Sequence, residues 1–176
     1  MRLYFNGAMA IHIIIDGYNL IHQCHMIAQD VEAARETLLD ALAAYKRTKG
    51  HRITVIFDGA GAPVTTQQRD RRKGIDITFS RDELADTVIK RMAAREGQKA
   101  LVVSSDTDIV RYAASKGAAT ISSVLFAQKI AAVFDEGREE LSPENDVGWV
   151  PTTRKKGPRR RLPKRERRNR TKIKKL

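Results

Sequence analysis

Three aspartates stand at the ends of apolar segments that have the composition of buried strands. Asp16, Asp58 and Asp106 each follow such a run, and Asp108 lies two residues beyond Asp106, where a first helical turn could return its carboxylate to the same region. The carboxyl ends of the strands of an open parallel sheet lie along one edge, and that edge is where such sheets form their sites. We therefore expect these carboxylates to lie together.

A further carboxylate, Asp86, falls within a predicted helix. Leu84, Val88 and Met92 define the apolar stripe of that helix, and Asp86 lies outside the stripe. The helix can therefore turn a carboxylate edge toward the strand ends while it packs by its other side.

Carboxylates gathered at one edge repel one another unless a cation lies among them. Carboxylate and water oxygens are suited to Mg²⁺ or Mn²⁺. Two such ions about 3.5–4 Å apart can hold a phosphodiester and lower the pKa of a bound water. The pattern predicts metal-assisted phosphodiester hydrolysis, in which Asn19 and Ser105 orient the scissile group. Taken singly, each aspartate is better explained by ordinary turn or helix-cap chemistry, and it is the occurrence of three at separate strand ends that favours a metal site.

The elements that must position these residues alternate between strand and helix. Apolar residues at helical spacing follow Val31 as far as Gly50, and Ser80–Glu83 match a capping box that would open the helix containing Asp86. Residues 60–74 are predicted to form a long loop, and 124–134 a final helix. The alternation predicts an α/β fold with a central, mostly parallel sheet flanked by helices.

The charge of the chain is concentrated in its last segment. The 176 residues include 33 Lys or Arg and 21 Asp or Glu, a formal net charge of +12. Residues 151–176 hold 14 of the bases and one of the acids. We therefore expect a folded domain over residues 9–150 and a basic, disordered tail over 151–176 that binds RNA phosphates, with Arg159, Arg160 and Arg161 among its contacts.

A second basic cluster lies in the predicted loop after Asp58, where it could hold an RNA backbone beside the acidic edge. It consists of Arg69, Arg71, Arg72 and Lys73. Tyr18 follows Asp16 closely enough to stack on a base.

Several classes of protein are disfavoured. No apolar run approaches the roughly 18 residues that a membrane-spanning helix needs. The single cysteine, Cys24, allows no intramolecular disulfide and favours a reducing cytoplasm. Cys24 with His22 and His25 lacks the second ligand pair of a structural zinc site.

Four motifs in order add a resemblance: IIIDGYN at 13–19, VIFDG at 55–59, LADTVI at 84–89 and VSSDTD at 103–108. With these motifs the chain resembles NYN-domain proteins, and among them the YacP-like group of the PIN-like nuclease superfamily. The resemblance implies a PIN-like three-layer fold and divalent-metal ribonuclease activity. It also implies an acidic site of Asp16, Asp58, Asp86 and Asp106 with Asn19 beside it, and ribosome-associated cleavage of messenger RNA. A more distant similarity to flap endonucleases supports Asp108 as a ligand.

Two hypotheses of different class follow. In the first, the protein is an Mg²⁺- or Mn²⁺-dependent endoribonuclease acting on single-stranded RNA. In the alternative, it is a non-catalytic RNA- or ribosome-binding module that uses its basic tail. A compact toxin-type nuclease is disfavoured by that tail, and a haloacid-dehalogenase-type phosphotransferase lacks the second aspartate that its first motif would need.

Overall fold

A computed structural model describes residues 11–23, 30–59, 69–80, 83–139 and 163–176, without the side chains of Arg69 and of residues 134–139. Six strands form one sheet: β1 (His12–Asp16), β2 (Arg52–Asp58), β3 (Arg69–Arg72), β4 (Ile75–Ser80), β5 (Ala100–Val103) and β6 (Ala119–Ile121). The helices are α1 (Gly17–Gln23), α2 (Val31–Lys49), α3 (Ala85–Glu96), α4 (Thr107–Ser115), α5 (Ser123–Glu139) and α6 (Lys164–Lys174).

The sheet has the strand order β3-β4-β2-β1-β5-β6, and every neighbouring pair is parallel except β3 and β4. Ile15 of β1 is level with Val55 of β2 on one side and with Val103 of β5 on the other. This register brings the carboxyl ends of the three central strands to one edge. The predicted α/β class with a mostly parallel, helix-flanked sheet is confirmed.

Both faces of the sheet are buried. On one face, Ile13 and Ile15 pack with Leu38 and Leu42 of α2 and with Phe126 of α5. On the other face, β1 and β2 pack with apolar residues of α3 and α4 through Ile14, Ile56, Val88, Ile89 and Ile109. Strands covered on both faces read as continuous apolar runs, which is why the central strands are visible in the sequence.

The segment predicted as a long loop contains a strand instead. β3 pairs antiparallel with β4, so that Arg71 lies opposite Asp76 and Arg72 opposite Ile75, and Lys73 and Gly74 make the turn with positive φ. The prediction was wrong for 69–72 because a charged edge strand has no apolar alternation to reveal it, and its backbone pairing alone defines it. Residues 60–68 lie outside the described ranges.

The start of α3 also differs from the prediction. Ser80 belongs to β4 and donates through its hydroxyl toward the Phe57 carbonyl and the Asp58 carboxylate. Leu84 is the N-cap residue of α3, and no side chain caps the helix there. The predicted capping box therefore does not form, because strand pairing claims its first residue. The predicted helix end at Gly50 is confirmed, and α3 ends before Gly97 in the same way.

Helix α6 corrects the expectation that residues 151–176 are disordered, as far as 164–176 are concerned. Ile173 and Leu176 pack on the core, and the Tyr45 hydroxyl donates to the Leu176 main-chain oxygen at 2.9 Å. The Asn169 amide accepts from the Thr120 N–H at 2.9 Å and donates to the Thr120 carbonyl at 3.4 Å. Lys172 adds bonds to the Gln98 and Ala100 carbonyls. A few contacts on one side of the helix are therefore enough to dock an element whose other positions are almost all charged.

No helix in the described ranges is long and apolar enough to cross a membrane. The predicted domain boundary at residue 150 and the arginines at 159–161 fall in a part of the chain that the structure does not describe.

Candidate active site at the carboxyl edge of the sheet

The centre of the carboxyl edge is a hydrogen-bonded pair of strand ends. Asp16 ends β1, and its carboxylate accepts from the Ser104 hydroxyl at 3.2 Å and from the Asn19 N–H at 3.2 Å. The same Ser104 hydroxyl oxygen accepts from the Asp106 N–H at 3.1 Å. Asp106 caps α4, accepting from the N–H groups of Asp108 and Ile109. One buried hydroxyl thus connects the Asp16 and Asp106 segments.

The environment of Asp16 disfavours its charge. Burial raises the pKa of this carboxyl, the like charges of Asp86 and Asp106 raise it further, and the bonds from Asn19 and Ser104 oppose the shift. The repulsion shows that three carboxylates, from β1, α3 and the start of α4, lie within electrostatic reach of one another. A cation at this edge would relieve both unfavourable effects.

A lysine that sequence reasoning missed lies beside these acids. Lys90 follows Asp86 by one helical turn, and its ammonium forms an ion pair with Asp108. That bond, with further attraction from Asp86 and Asp106, raises the pKa of Lys90. The spacing of four residues from Asp86 was the available signal, because such positions share one helix face.

Asp58 stands farther along the edge. Asp16 is level with Ile56, so Asp58 lies two residues, or about 6.6 Å, beyond it on the neighbouring strand and on the same face of the sheet. Its carboxylate is exposed and accepts from Ser80 at 3.4 Å.

Asn19 and Ser105 are linked to each other. The Asn19 side-chain oxygen accepts from the Ser105 N–H at 3.0 Å and from the Ser123 hydroxyl at 2.6 Å. Ser105 in turn accepts from the Ser123 N–H at 3.3 Å. Asn19 therefore fixes the loop after β5 against the start of α5, next to Asp16.

The carboxylate oxygens at this edge are the kind of ligand that a hard divalent cation prefers, but the distances between them are longer than one bound ion requires. Carboxylate oxygens are the preferred ligands of Mg²⁺ and Mn²⁺, and the raised pKa of Asp16 marks a carboxylate without a compensating charge. Within the described ranges, however, no group of three or more Asp, Glu, His or Cys side chains is close enough to hold one ion. His22 is exposed on α1, and Cys24 and His25 fall outside those ranges.

The residues predicted to bind RNA are divided between two faces. Arg72 and Lys73 form ion pairs with Glu36 and Asp40 of α2. Arg71 points to the opposite face of the sheet, 3.7 Å from Asp76. The structure does not describe the Arg69 side chain.

Tyr18 is held by its neighbours. Its ring meets the Phe57 ring edge-on with centroids 5.3 Å apart, and its hydroxyl accepts from Arg35. The Arg35 guanidinium lies 5.4 Å from the centre of the Tyr18 ring. One face of this aromatic side chain is therefore already occupied.

A family model described as the YacP-like NYN domain matches residues 13–175. The chain belongs to this family. The match includes α6, so the YacP-like NYN region extends beyond the boundary predicted from charge.

Two relatives in Bacillus subtilis are similar to this chain. The uncharacterized protein YacP of strain 168 is 28% identical over 86 residues, which is 46% of this chain and 50% of that protein, so the alignment spans half of the relative's length. A crystal structure of Rae1 (YacP) from the same organism matches with a TM-score of 0.57 and 22% identity, over 76% of this chain and 80% of that one. A point mutant of Rae1 gives a TM-score of 0.60 over 77% and 86%. These structural matches establish the shared fold.

Proposed function

We propose that this protein is a divalent-metal-dependent endoribonuclease that hydrolyses phosphodiester bonds of single-stranded RNA. The observation that supports it most directly is that three separate elements bring Asp16, Asp86 and Asp106 to one edge of the sheet, where burial and the charges of the other two raise the pKa of Asp16. This arrangement does not stabilise the fold, because the neighbouring negative charges raise the energy of the half-buried Asp16 carboxylate. Membership of the YacP-like NYN family supports the same activity.

In this proposal the acidic residues hold Mg²⁺ or Mn²⁺. The ligand set is Asp16, Asp58, Asp86, Asp106 and Asp108. The bound ion would supply an activated water and charge stabilisation at the phosphate. Asn19 acts as a positioning residue, since its bonds to Ser105 and Ser123 fix the loop that precedes Asp106.

The substrate side of the proposal rests on the basic residues. Arg71 and the cations of α6 other than Lys172 are exposed and available to phosphates, and Tyr18 offers the uncovered part of its ring. Arg69 and the arginines at 159–161 remain predicted RNA contacts, whereas in this proposal Arg72 and Lys73 keep their ion pairs with Glu36 and Asp40 and do not bind RNA. A ribosome-associated messenger RNA as the substrate, and a cytoplasmic location, complete the hypothesis.

The test is cleavage of labelled single-stranded RNA with Mg²⁺ or Mn²⁺. Asp16→Asn should lower the rate at least about a hundredfold, since even indirect partners of a metal affect activity by 10–100-fold. Asp40→Asn is the matched control, because Asp40 is an exposed carboxylate of α2 that pairs with Lys73. Activity that survives both Asp16→Asn and a chelator would refute the proposal.

The alternative, a non-catalytic RNA-binding module, is favoured by two observations. Residues 164–175 hold eight Lys or Arg and one acid, and no three carboxylates of the described residues converge on one point. Arg165→Gln with Arg168→Gln removes exposed charge and keeps the residues that anchor α6. Loss of RNA binding in this variant, with no metal-dependent cleavage by the wild type, would favour the alternative.

A further inference from the structure

A cleft of about 570 Å³ lies on the face of the sheet that α3 covers, between this helix and strands β2, β3 and β4. Its walls present four arginines: Arg52, Arg71, Arg91 and Arg95. Val88 and Met92 of α3 add apolar surface, and Thr54 and Thr78 line it from the sheet. The volume is in the range of pockets that hold drug-sized ligands, which is the scale of one or two nucleotides.

The cleft and the acidic edge are built from the same two elements. Helix α3 bears Asp86 in its first turn and Arg95 in its last, about 13 Å apart at 1.5 Å per residue. Strand β4 likewise runs from Asp76 in the cleft to Ser80, which donates to Asp58 at the edge. At about 100° per residue Asp86 and Arg95 lie on opposite sides of α3, so an RNA strand would pass from the acidic edge to the cleft along β4, from Ser80 toward Asp76.

Arginines outnumber acids among the residues that line the cleft. The four arginines share the lining with Asp76 and with Asp70, whose carboxylate pairs with Arg72. Asp76 is shared between Arg52, at 3.2 Å, and Arg71, at 3.7 Å, so one carboxylate faces two guanidinium groups.

The ion pairs of the other two arginines are also near the surface. Arg91 pairs with Glu83 and Arg95 with Glu96, and both arginine side chains are more than half exposed. Exposed pairs of this kind contribute little to stability. A phosphate, which guanidinium groups bind in bidentate fashion, can therefore exchange into them.

We propose that this cleft binds the sugar-phosphate backbone of single-stranded RNA as the strand leaves the acidic edge. The inference rests on the proposed function and adds to it the path that the RNA strand takes away from the acidic edge. Arg71 and Arg52 bind phosphates from the wall formed by the sheet, and Arg91 and Arg95 bind them from the wall formed by α3. A single strand is favoured over a duplex because a cleft of this size admits only a few nucleotide units, whereas duplex RNA is recognised across wide surfaces.

Neighbouring residues of β3 provide a matched pair for the test. Arg71 faces the cleft, while Arg72 faces α2, where it pairs with Glu36 at 2.7 Å and with Asp70 at 2.9 Å. Both are arginines on the same exposed strand, so the same substitution removes the same charge from opposite faces. Arg95→Gln probes the far wall of the cleft independently of β3.

The experiment measures binding of the full-length chain to a short fluorescein-labelled single-stranded RNA by fluorescence anisotropy, in chelator, over a series of salt concentrations. Each lost phosphate contact should lower the steepness of the log–log salt dependence by about 0.7, which corresponds to about fivefold weaker binding at 0.1 M salt. Arg71→Gln and Arg95→Gln should each show this loss, and Arg72→Gln should match the wild type.

Equal behaviour of Arg71→Gln and Arg72→Gln would overturn the proposal, as would an equal loss of affinity for duplex RNA. Thermal melting of all three variants establishes that they are folded, since each site is exposed. Because the chelator prevents metal-dependent cleavage, the experiment measures RNA binding alone. An Arg71-specific loss in a protein that cleaves no RNA would refute the proposed activity and retain the RNA route.

Discussion

The docking of α6 can be tested by releasing it. Leu176 is 4% exposed and packs in the core beside Tyr45, whose hydroxyl donates to the Leu176 main-chain oxygen. Substitutions of buried Leu by Ala cost 2–5 kcal/mol, and we take about 2–3 kcal/mol because α6 forms its contacts along one side only. If α6 opens separately from the rest of the protein, Leu176→Ala makes the open state about 30- to 150-fold more populated, since 1.4 kcal/mol is a factor of ten.

Trypsin measures this population directly, because α6 and the residue after it offer eight Lys or Arg as cleavage sites. Under native conditions in which opening is fast, the cleavage rate follows the open fraction. Mass spectrometry should show release of α6 peptides from Leu176→Ala about 30- to 150-fold faster than from the wild type. Thr171→Ala is the control, because Thr171 is exposed and its hydroxyl bonds only within the helix, to the Arg167 carbonyl. Cleavage of both variants at the wild-type rate would refute the docking argument.

Three further predictions concern the edge and the interior. Gly17→Ala places a Cβ 2.9 Å from the Ile56 carbonyl oxygen and against the Phe57 ring, so calorimetry should show a loss of about 1–3 kcal/mol; an unchanged melting temperature would contradict it. Lys90→Gln removes the cation that pairs with Asp108 and would compete with a metal ion for this carboxylate. Mn²⁺ should therefore bind about two- to fivefold more tightly to this variant in calorimetric titrations, whereas Lys90→Arg should keep the wild-type affinity. Burial, aided by the charge of Arg52, lowers the pKa of His12 below 6.5. The unfolded chain therefore binds more protons than the folded one, and the free energy of unfolding should fall as the pH drops below about 6.5. In urea titrations His12→Gln should show a smaller fall than the wild type, and an identical pH dependence would exclude His12 as the cause.

The sequence predicts the central part of the fold because burial on two faces leaves a clear signal. Strands β1 and β2 have apolar interiors and end in Asp16 and Asp58, and β5 is wholly apolar and lies three residues before Asp106. Parallel pairing then requires Asp16, Asp58 and Asp106 to lie at the same end of the sheet. The placement of these residues was therefore predictable from strand identity alone.

Elements that depend on tertiary contacts were not predictable in the same way. Strand β3 has the sequence RDRR, and only pairing with β4 makes it a strand. Ser80 has the residue type of a helix cap, but its backbone pairs with Asp58 of β2. Helix α6 did leave a signal, since Asn169, Ile173 and Leu176 follow one helix face, although the surrounding charge obscures it.

The distances between the carboxylates are a separate matter. A pattern of strand ends fixes which residues share an edge, and side-chain rotamers and helix placement decide how closely they converge. Asp58 stands two residues beyond the level of Asp16, and Asp108 turns to Lys90. The sequence therefore predicts which carboxylates lie at this edge better than it predicts the distances between them.

The contact between Asn169 and β6 has a consequence for the solubility of the protein. A strand at the end of a sheet exposes unpaired N–H and C=O groups that can recruit strands from other molecules. The Asn169 amide offers one acceptor and one donor to Thr120, as the backbone of a further strand would, and so ends the growth of the sheet. At the opposite end, the charged residues of β3 discourage the same association. If α6 detached, β6 would become an open edge, and we expect self-association of the protein to begin at that strand.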